Sequence, residues 1–284
     1  MTAAAFAYVR PTSVEGVLGH LDSGRQVTIL AGGQSLMPSL NMRLSTPELV
    51  VDINRIEALR GIEQRDGYIR IGALVRHAEV ASSDLVSRHV PLIARAMRYV
   101  AHPAIRNRGT TCGSLANADP AAEMPACAVT LDATLVLLSR RGRRDVPARE
   151  FFLGLFETAR QDDELLAEVL FPVARPSERF GFDEVATRHG DFAAVGVAAR
   201  ATLAGARFDA LDLVLFASES RPLHSAAAAE IAVGQSWSPA LGDAIAAAVA
   251  AEMEPIDNLH GRGDTKRKQA RTLITRVLER IMHG

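Results

Sequence analysis

Cysteine is nearly absent: there are two, Cys112 and Cys127, in 284 residues. So few exclude a disulfide scaffold and a four-cysteine iron–sulfur or zinc site built from this chain alone. The eight histidines are scattered, with no His-x-x-x-His or Cys-x-x-Cys spacing, so no metal chemistry is expected within the chain. Long apolar runs are missing as well, none reaching the ~20 residues that cross a bilayer. The opening MTAAAFAYVRPTS lacks the charged start, apolar centre and cleavage pattern of a secretory leader. Charge of one sign is not in excess either. The net is −1, which gives no pull towards nucleic acid or an anionic membrane. A cytoplasmic protein with neither nucleic-acid nor membrane partners is expected. Two nucleotide signatures are also lacking: the GxGxxG spacing of a Rossmann unit and the Gly-Lys-Ser/Thr of a Walker loop.

What is present is apolar content, 48% of the chain, enough for two or three cores. Breaker residues and periodicity divide the sequence at 1–55, 56–172 and 177–284, an α+β mixture. The first segment predicts a helix near Ser13–Leu21 with Ser13 as N-cap, strands Val27–Leu30 and Leu49–Asp52, and a helix near Pro38–Leu44. The second predicts strands Tyr68–Gly72, Ala133–Leu138 and Leu165–Val169, a helix near Val86–Tyr99, and another after Pro120. Phe171–Pro176, with two prolines, reads as a linker. The third predicts strands Ala193–Leu203 and Leu211–Phe216, then helices near Pro222–Val233, Pro239–Glu254 and Thr265–Met282.

Two glycine-bearing loops stand out, about 80 residues apart. Ala31-Gly32-Gly33-Gln34-Ser35-Leu36 follows the first strand. Gly109-Thr110-Thr111-Cys112-Gly113-Ser114 precedes Asn117, Asp119 and Glu123. Small side chains let backbone N–H groups approach a phosphate, and a helix start adds a favourable field. Two such loops suggest a ligand carrying two phosphates. Each has a plainer reading: a strand-to-helix turn for the first, and helix capping by Asp119 before Pro120 for the second. Asp119 and Glu123, one turn apart, could instead accept bonds from sugar hydroxyls.

Other charged groups are less specific. Arg106 and Arg108 could neutralise a diphosphate or pair with surface carboxylates. Cys112 reads as a space-filler and Cys127 as a buried helix residue. Arg188-His189-Gly190-Asp191-Phe192 could touch a ligand, but no nucleophile completes a triad. Lys266-Arg267-Lys268 with Arg271 reads as the solvated face of a terminal helix, with docking onto an acidic partner as the other reading.

Three blocks in order carry a resemblance: AGGQSLMPSLNMRLSTPELVVDINRI (31–56), GTTCGSLANADPAAE (109–123) and TRHGDFAAVGVAA (187–199). Together they resemble the FAD-binding medium subunits of molybdenum hydroxylases, the carbon monoxide dehydrogenase and xanthine dehydrogenase type, across almost the whole chain. The resemblance implies a two-part FAD-binding domain of the p-cresol methylhydroxylase type plus a C-terminal α+β domain with an antiparallel sheet and helices. It implies non-covalent FAD held by Ala31, Gly32, Gly33, Gln34, Ser35 and Leu36, and by Thr110, Thr111, Gly113, Ser114 and Asn117. Asp119 and Glu123 would reach the ribose or ribityl portion, and no catalytic acid or base is implied here. Partners would be a large molybdenum-cofactor subunit and a small subunit with [2Fe–2S] clusters, a heterotrimer commonly doubled. Electrons would pass from those clusters through FAD to NAD⁺, a quinone, O₂ or another acceptor. A stand-alone FAD oxidoreductase and a non-catalytic dinucleotide-binding module are the rival readings.

Two departures accompany the resemblance. The family's second loop commonly reads Thr-Ile-Gly-Gly, and Cys112 replaces the first of those glycines, where a positive φ would be strained. A basic residue often lies near the flavin ring, whereas this chain has Phe182-Asp183-Glu184. Two cysteines also disfavour relatives with an inserted iron–sulfur cluster in this subunit.

Overall fold

The structure, a computed structural model, describes residues 2–283. Residues 7–52 form β1 (Ala7–Val9), α1 (Val14–Leu21), β2 (Val27–Leu30), α2 (Leu36–Asn41) and β3 (Leu49–Asp52). The strands make a parallel sheet in the order β1-β3-β2. All four residues of β3 are buried, as a central parallel strand covered on both faces requires. Ser13 caps α1, its hydroxyl accepting from the Gly16 amide at 3.1 Å.

Residues 62–172 begin with β4 (Ile62–Arg65) and β5 (Tyr68–Gly72). A run of short helices follows: α3 (His77–Ser82), α4 (Asp84–His89), α5 (Pro91–Ala96), α6 (Pro103–Arg106), α7 (Thr111–Asn117) and α8 (Glu123–Thr130). Then come β6 (Thr134–Ser139), β7 (Gly142–Pro147), α9 (Ala148–Phe151), the small pair β8 (Phe152–Gly154) and β9 (Glu157–Thr158), and β10 (Leu165–Pro172). The five-stranded sheet runs β4-β5-β10-β6-β7 with antiparallel neighbours. The single helix expected over 86–99 is broken at Val90, whose φ of −138° and ψ of 61° leave the helical region. Pro91 opens α5 there; it lacks an N–H and crowds the residue before it.

The remainder comprises β11 (Glu178–Ala186), β12 (Ala193–Ala204), β13 (Arg207–Phe216), β14 (Leu223–His224), α10 (Ala226–Ala232), α11 (Pro239–Glu252) and α12 (Gly263–His283). Its sheet is antiparallel and sequential, β11-β12-β13-β14. Alternation along the strands gives it two apolar faces. Val195, Val197, Leu213 and Leu215 pack with Leu273, Ile274, Val277 and Ile281 of α12. Ala198, Val214, Phe216, Phe180 and Phe182 instead join the core of the first 172 residues. Burying each large aliphatic side chain is worth ~1.5–3 kcal/mol, so this shared face unites the two parts.

Two expectations are corrected by this packing. The segment 171–176 is fastened rather than free: Phe171 and Pro172 belong to β10, Val173 N–H donates to Gly67 O at 2.9 Å, and Ala174 N–H to His89 O at 2.8 Å. The basic cluster on α12 is solvated only in part, at the exposed Lys268 and Arg271. Lys266 is fully buried, and Arg267 donates to Ala250 O and Met253 O. Polar groups also bridge the parts: Arg200 of β12 bonds Asp132, while Arg149 bonds both Asp132 and Asp212 of β13. No helix among the described residues is long and apolar enough to cross a membrane.

Candidate functional site

The first glycine loop leaves β2 at Ala31 and enters α2 at Leu36. Gly33 makes the turn with φ at 74°, a conformation costly for a side chain. The loop is braced by side chains rather than by its own amides. Gln34 Nε2 donates to Gly32 O at 3.2 Å, and Asn54 Nδ2 to Ala31 O at 2.8 Å and Asp52 Oδ1 at 2.7 Å. The amides of Gly32 through Leu36 find no acceptor among the described residues. Five successive N–H groups without acceptors, at a helix start, suit an anion. Ser35 is exposed and makes no side-chain cap bond to α2.

The second loop enters α7, with Thr110 as N-cap accepting from Gly113 N–H at 3.0 Å. Thr111 is fully buried, its hydroxyl 3.5 Å from His77 Nδ1. The Thr110 hydroxyl, accepting at the cap, keeps its own proton to donate, while that of Thr111 lies beside His77. Gly113, Ser114 and Asn117 remain partly exposed. Cys112 lies inside α7 without a positive φ, so the lost glycine causes no strain. Its sulfur faces Ile71 O at 3.6 Å, and burial pushes the thiol up to about 12. Burial likewise raises Cys127. Burial, with Arg106 nearby, lowers His77 to about 4, so this imidazole is neutral.

The two loops meet. A Cβ on Gly32 would collide with Arg108 O and stand 2.7 Å from Gly109 Cα. His77 N–H donates to Gly109 O at 2.9 Å. Arg76, which no sequence signal singled out, ties the seam: its guanidinium bonds Arg108 O and, at 2.6 Å, Asn54 Oδ1. Burial, then the charges of Arg60 and Arg108, lower its proton affinity; that repulsion marks a cluster of positive charge at the junction. Arg106 pairs with no carboxylate among the described residues. It donates to Val100 O and Ala101 O, both at 2.8 Å.

The acidic residues beyond the second loop are largely withdrawn from solvent. Asp119 does not cap α8, which begins at Glu123 after Ala122. Its Oδ1 accepts from Ala121 N–H at 2.9 Å, and its carbonyl from Ala122 N–H at 3.0 Å, closing a tight turn around Pro120. Burial, then the Asp119 charge, raise Glu123 to about 7. Glu184 of β11 rises to about 8 through burial and then the charges of Glu123 and Asp183. One Glu184 oxygen is buried without a partner. Asp183 is held by Arg276 and Arg280, each at 3.2 Å. The loop 187–192 lies on the segment leading into the second glycine loop. His189 stacks on Tyr99 with centroids 6.2 Å apart, and Gly190 abuts Ala101 O and His102.

Residues 4–174 match the family described as "FAD binding domain in molybdopterin dehydrogenase", and residues 180–281 match "CO dehydrogenase flavoprotein C-terminal domain". The chain belongs to this flavoprotein family. The 6-hydroxypseudooxynicotine dehydrogenase complex subunit alpha of Paenarthrobacter nicotinovorans is 37% identical over 98% of this chain and 95% of its own length. Among solved structures, quinoline 2-oxidoreductase from Pseudomonas putida 86 superposes with a TM-score of 0.96 at 35% identity, covering 100% of this chain and 99% of that one. Carbon monoxide dehydrogenase from Hydrogenophaga pseudoflava, lacking the Mo-pyranopterin moiety of its cofactor, gives 0.96 at 32% identity, with 99% and 98% covered.

The chain is thus an FAD-binding oxidoreductase subunit of the molybdenum hydroxylase family. Both glycine loops fall within the FAD-binding match, while Asp183, Glu184 and His189 fall within the second. The residues present fit a dinucleotide: a cradle that a Cβ at Gly32 would fill, amides without acceptors, and positive charge at the seam.

Proposed function

We propose that this chain carries FAD non-covalently at the junction of its two glycine loops and acts as the electron-output subunit of a cytoplasmic, three-subunit molybdenum hydroxylase. The observation that carries this reading is the contact of Gly32 with Arg108 and Gly109, beside five amides that lack acceptors. In it, Ala31 through Leu36 present N–H groups to the diphosphate, with Gly113, Ser114 and Asn117 closing the other side. Asp119 and Glu123 accept bonds from ribose or ribityl hydroxyls, and Arg76 and Arg108 offset the phosphate charge. Residues 1–55 and 56–172 would be the two halves of the FAD-binding unit, with 177–284 as the flavoprotein C-terminal unit. The bound flavin supplies the redox chemistry, taking electrons from [2Fe–2S] clusters of a small partner and passing them to an acceptor such as NAD⁺, a quinone or O₂. The protein's own task is to position the flavin and govern its solvent access.

The relatives are named for carbon monoxide, quinoline and 6-hydroxypseudooxynicotine at 32–37% identity. That spread supports placing substrate recognition on the large molybdenum-bearing partner. The test is purification of the complex from its native host. One acid-released FAD per chain, together with two further subunits carrying molybdenum and iron, is the expected result. Flavin reduced by a small organic substrate without partner chains would favour a stand-alone oxidoreductase. A chain that binds a dinucleotide without redox turnover would favour a non-catalytic module.

A further inference from the structure

Lys266 is the only charged side chain of α12 that is fully buried. It makes no ion pair within 4.0 Å among the described residues. Burial lowers its proton affinity, with Asp257 acting weakly in the opposite sense. An interior ammonium without a carboxylate partner is expensive, and an apolar side chain of similar size would be cheaper. Its one hydrogen bond runs from Nζ to Ala217 O at 3.0 Å.

Ala217 follows β13 in the left-handed region, with φ at 63°, a strained conformation for an alanine. From there its N–H donates to Pro120 O at 2.8 Å. Pro120 is the centre of the turn that Asp119 closes through Ala121 and Ala122, one residue before α8 starts with Glu123. Two oxygens nearby in sequence are buried without partners: Ser218 Oγ, next along the chain from Ala217, and Gln269 Oε1, three residues beyond Lys266 on α12. The ammonium therefore holds Ala217, the residue through which the C-terminal part grips the turn.

We infer that Lys266 is a positioning residue for the cofactor site: it fixes the left-handed Ala217, whose hydrogen bond to Pro120 sets the turn presenting Asp119 and Glu123. The inference rests on the reading of that turn as part of the FAD site. Lys266 stands 146 positions beyond Pro120 in the sequence and reaches the turn only through Ala217.

Amide hydrogen exchange on the full chain, with and without FAD, tests it. In the wild type, FAD should slow exchange in peptides covering 217 and 263–270 as well as 119–123. Protection confined to 119–123 would overturn the inference. In Lys266→Met, exchange in 118–123 should quicken without ligand, and FAD should bind roughly tenfold more weakly. A folded variant with reduced thermal stability but unchanged 118–123 exchange and FAD affinity would mean a merely structural lysine. If the variant does not fold, the wild-type exchange pattern decides. A wild type that binds no FAD refutes the site reading itself, a separate outcome from failure of the lysine's role.

Discussion

Gly32 and Gly109 lie against each other: a Cβ on the first would stand 2.7 Å from the Cα of the second, and a Cβ on Gly109 would stand 3.0 Å from His77 Cδ2. Neither backbone can retreat easily. Gly32 O is bound by Gln34, and Gly109 O by the His77 amide. The seam between the loops therefore depends on the absence of two methyl groups.

Gly32→Ala should separate the loops, because the added Cβ meets backbone rather than a movable side chain. We expect a loss of roughly 3 kcal/mol of FAD binding, on the order of 100-fold. Titration by quenching of flavin fluorescence measures it. Circular dichroism should find the secondary structure intact, since Gly32 lies outside the strands and helices.

Both thiols should be inert in the folded protein. Cys112 is pushed up to about 12 by burial, and Cys127 is raised in the same way, so almost no thiolate exists at pH 8. An aromatic disulfide reagent should titrate no thiol under native conditions and two in guanidinium. Rapid native reaction of one equivalent would contradict the packing of α7 and α8.

Glu184 should make the apoprotein less stable as pH rises. Its folded value is about 8 against an ordinary 4.5, so the folded state holds a proton that the unfolded state has released. The resulting stability is complete below about pH 4.5 and is lost as pH climbs through about 8. Glu184→Gln mimics the protonated form and should flatten the decline between pH 5 and 9 by roughly 1–3 kcal/mol. Denaturant melts of apoprotein across that range provide the check.

Asp212 works in the opposite sense. Burial would raise its carboxyl, but bonds from His224, Arg200 and Arg149 outweigh burial and hold it below the usual range. Its stability is present above about pH 4 and lost as pH falls through the folded value. Asp212→Asn should cost about 2 kcal/mol and should broaden or split the thermal transition, since Arg149 and Arg200 come from different parts of the chain. A single unshifted calorimetric peak would contradict the bridging role.

Much of the fold was legible because it is locally encoded. Val27–Leu30, Leu49–Asp52 and Tyr68–Gly72 are apolar or alternating runs bounded by breakers, and each is a strand with those bounds. Glu178–Ala186 was not legible as a strand. Its sequence ERFGFDEVA mixes charge with aromatics because one face meets α12 while Asp183 pairs with arginines on that helix. The glycine loops could be found from their composition, but their contact could not, because it depends on how two separate sheets sit together. Arg76 was missed, and Lys266 was read as solvated, for the same reason. Each is a common surface residue by type, and only tertiary contacts draw one into the seam and the other into the core.

The most direct measurement is a crystal structure of the chain loaded with FAD. A diphosphate should lie within hydrogen-bonding distance of amides in 32–36 on one side and of the 113–114 segment on the other, with Asp119 or Glu123 on a sugar hydroxyl. A diphosphate bound to one loop alone, or FAD seated away from the contact of Gly32 with Gly109, would contradict it.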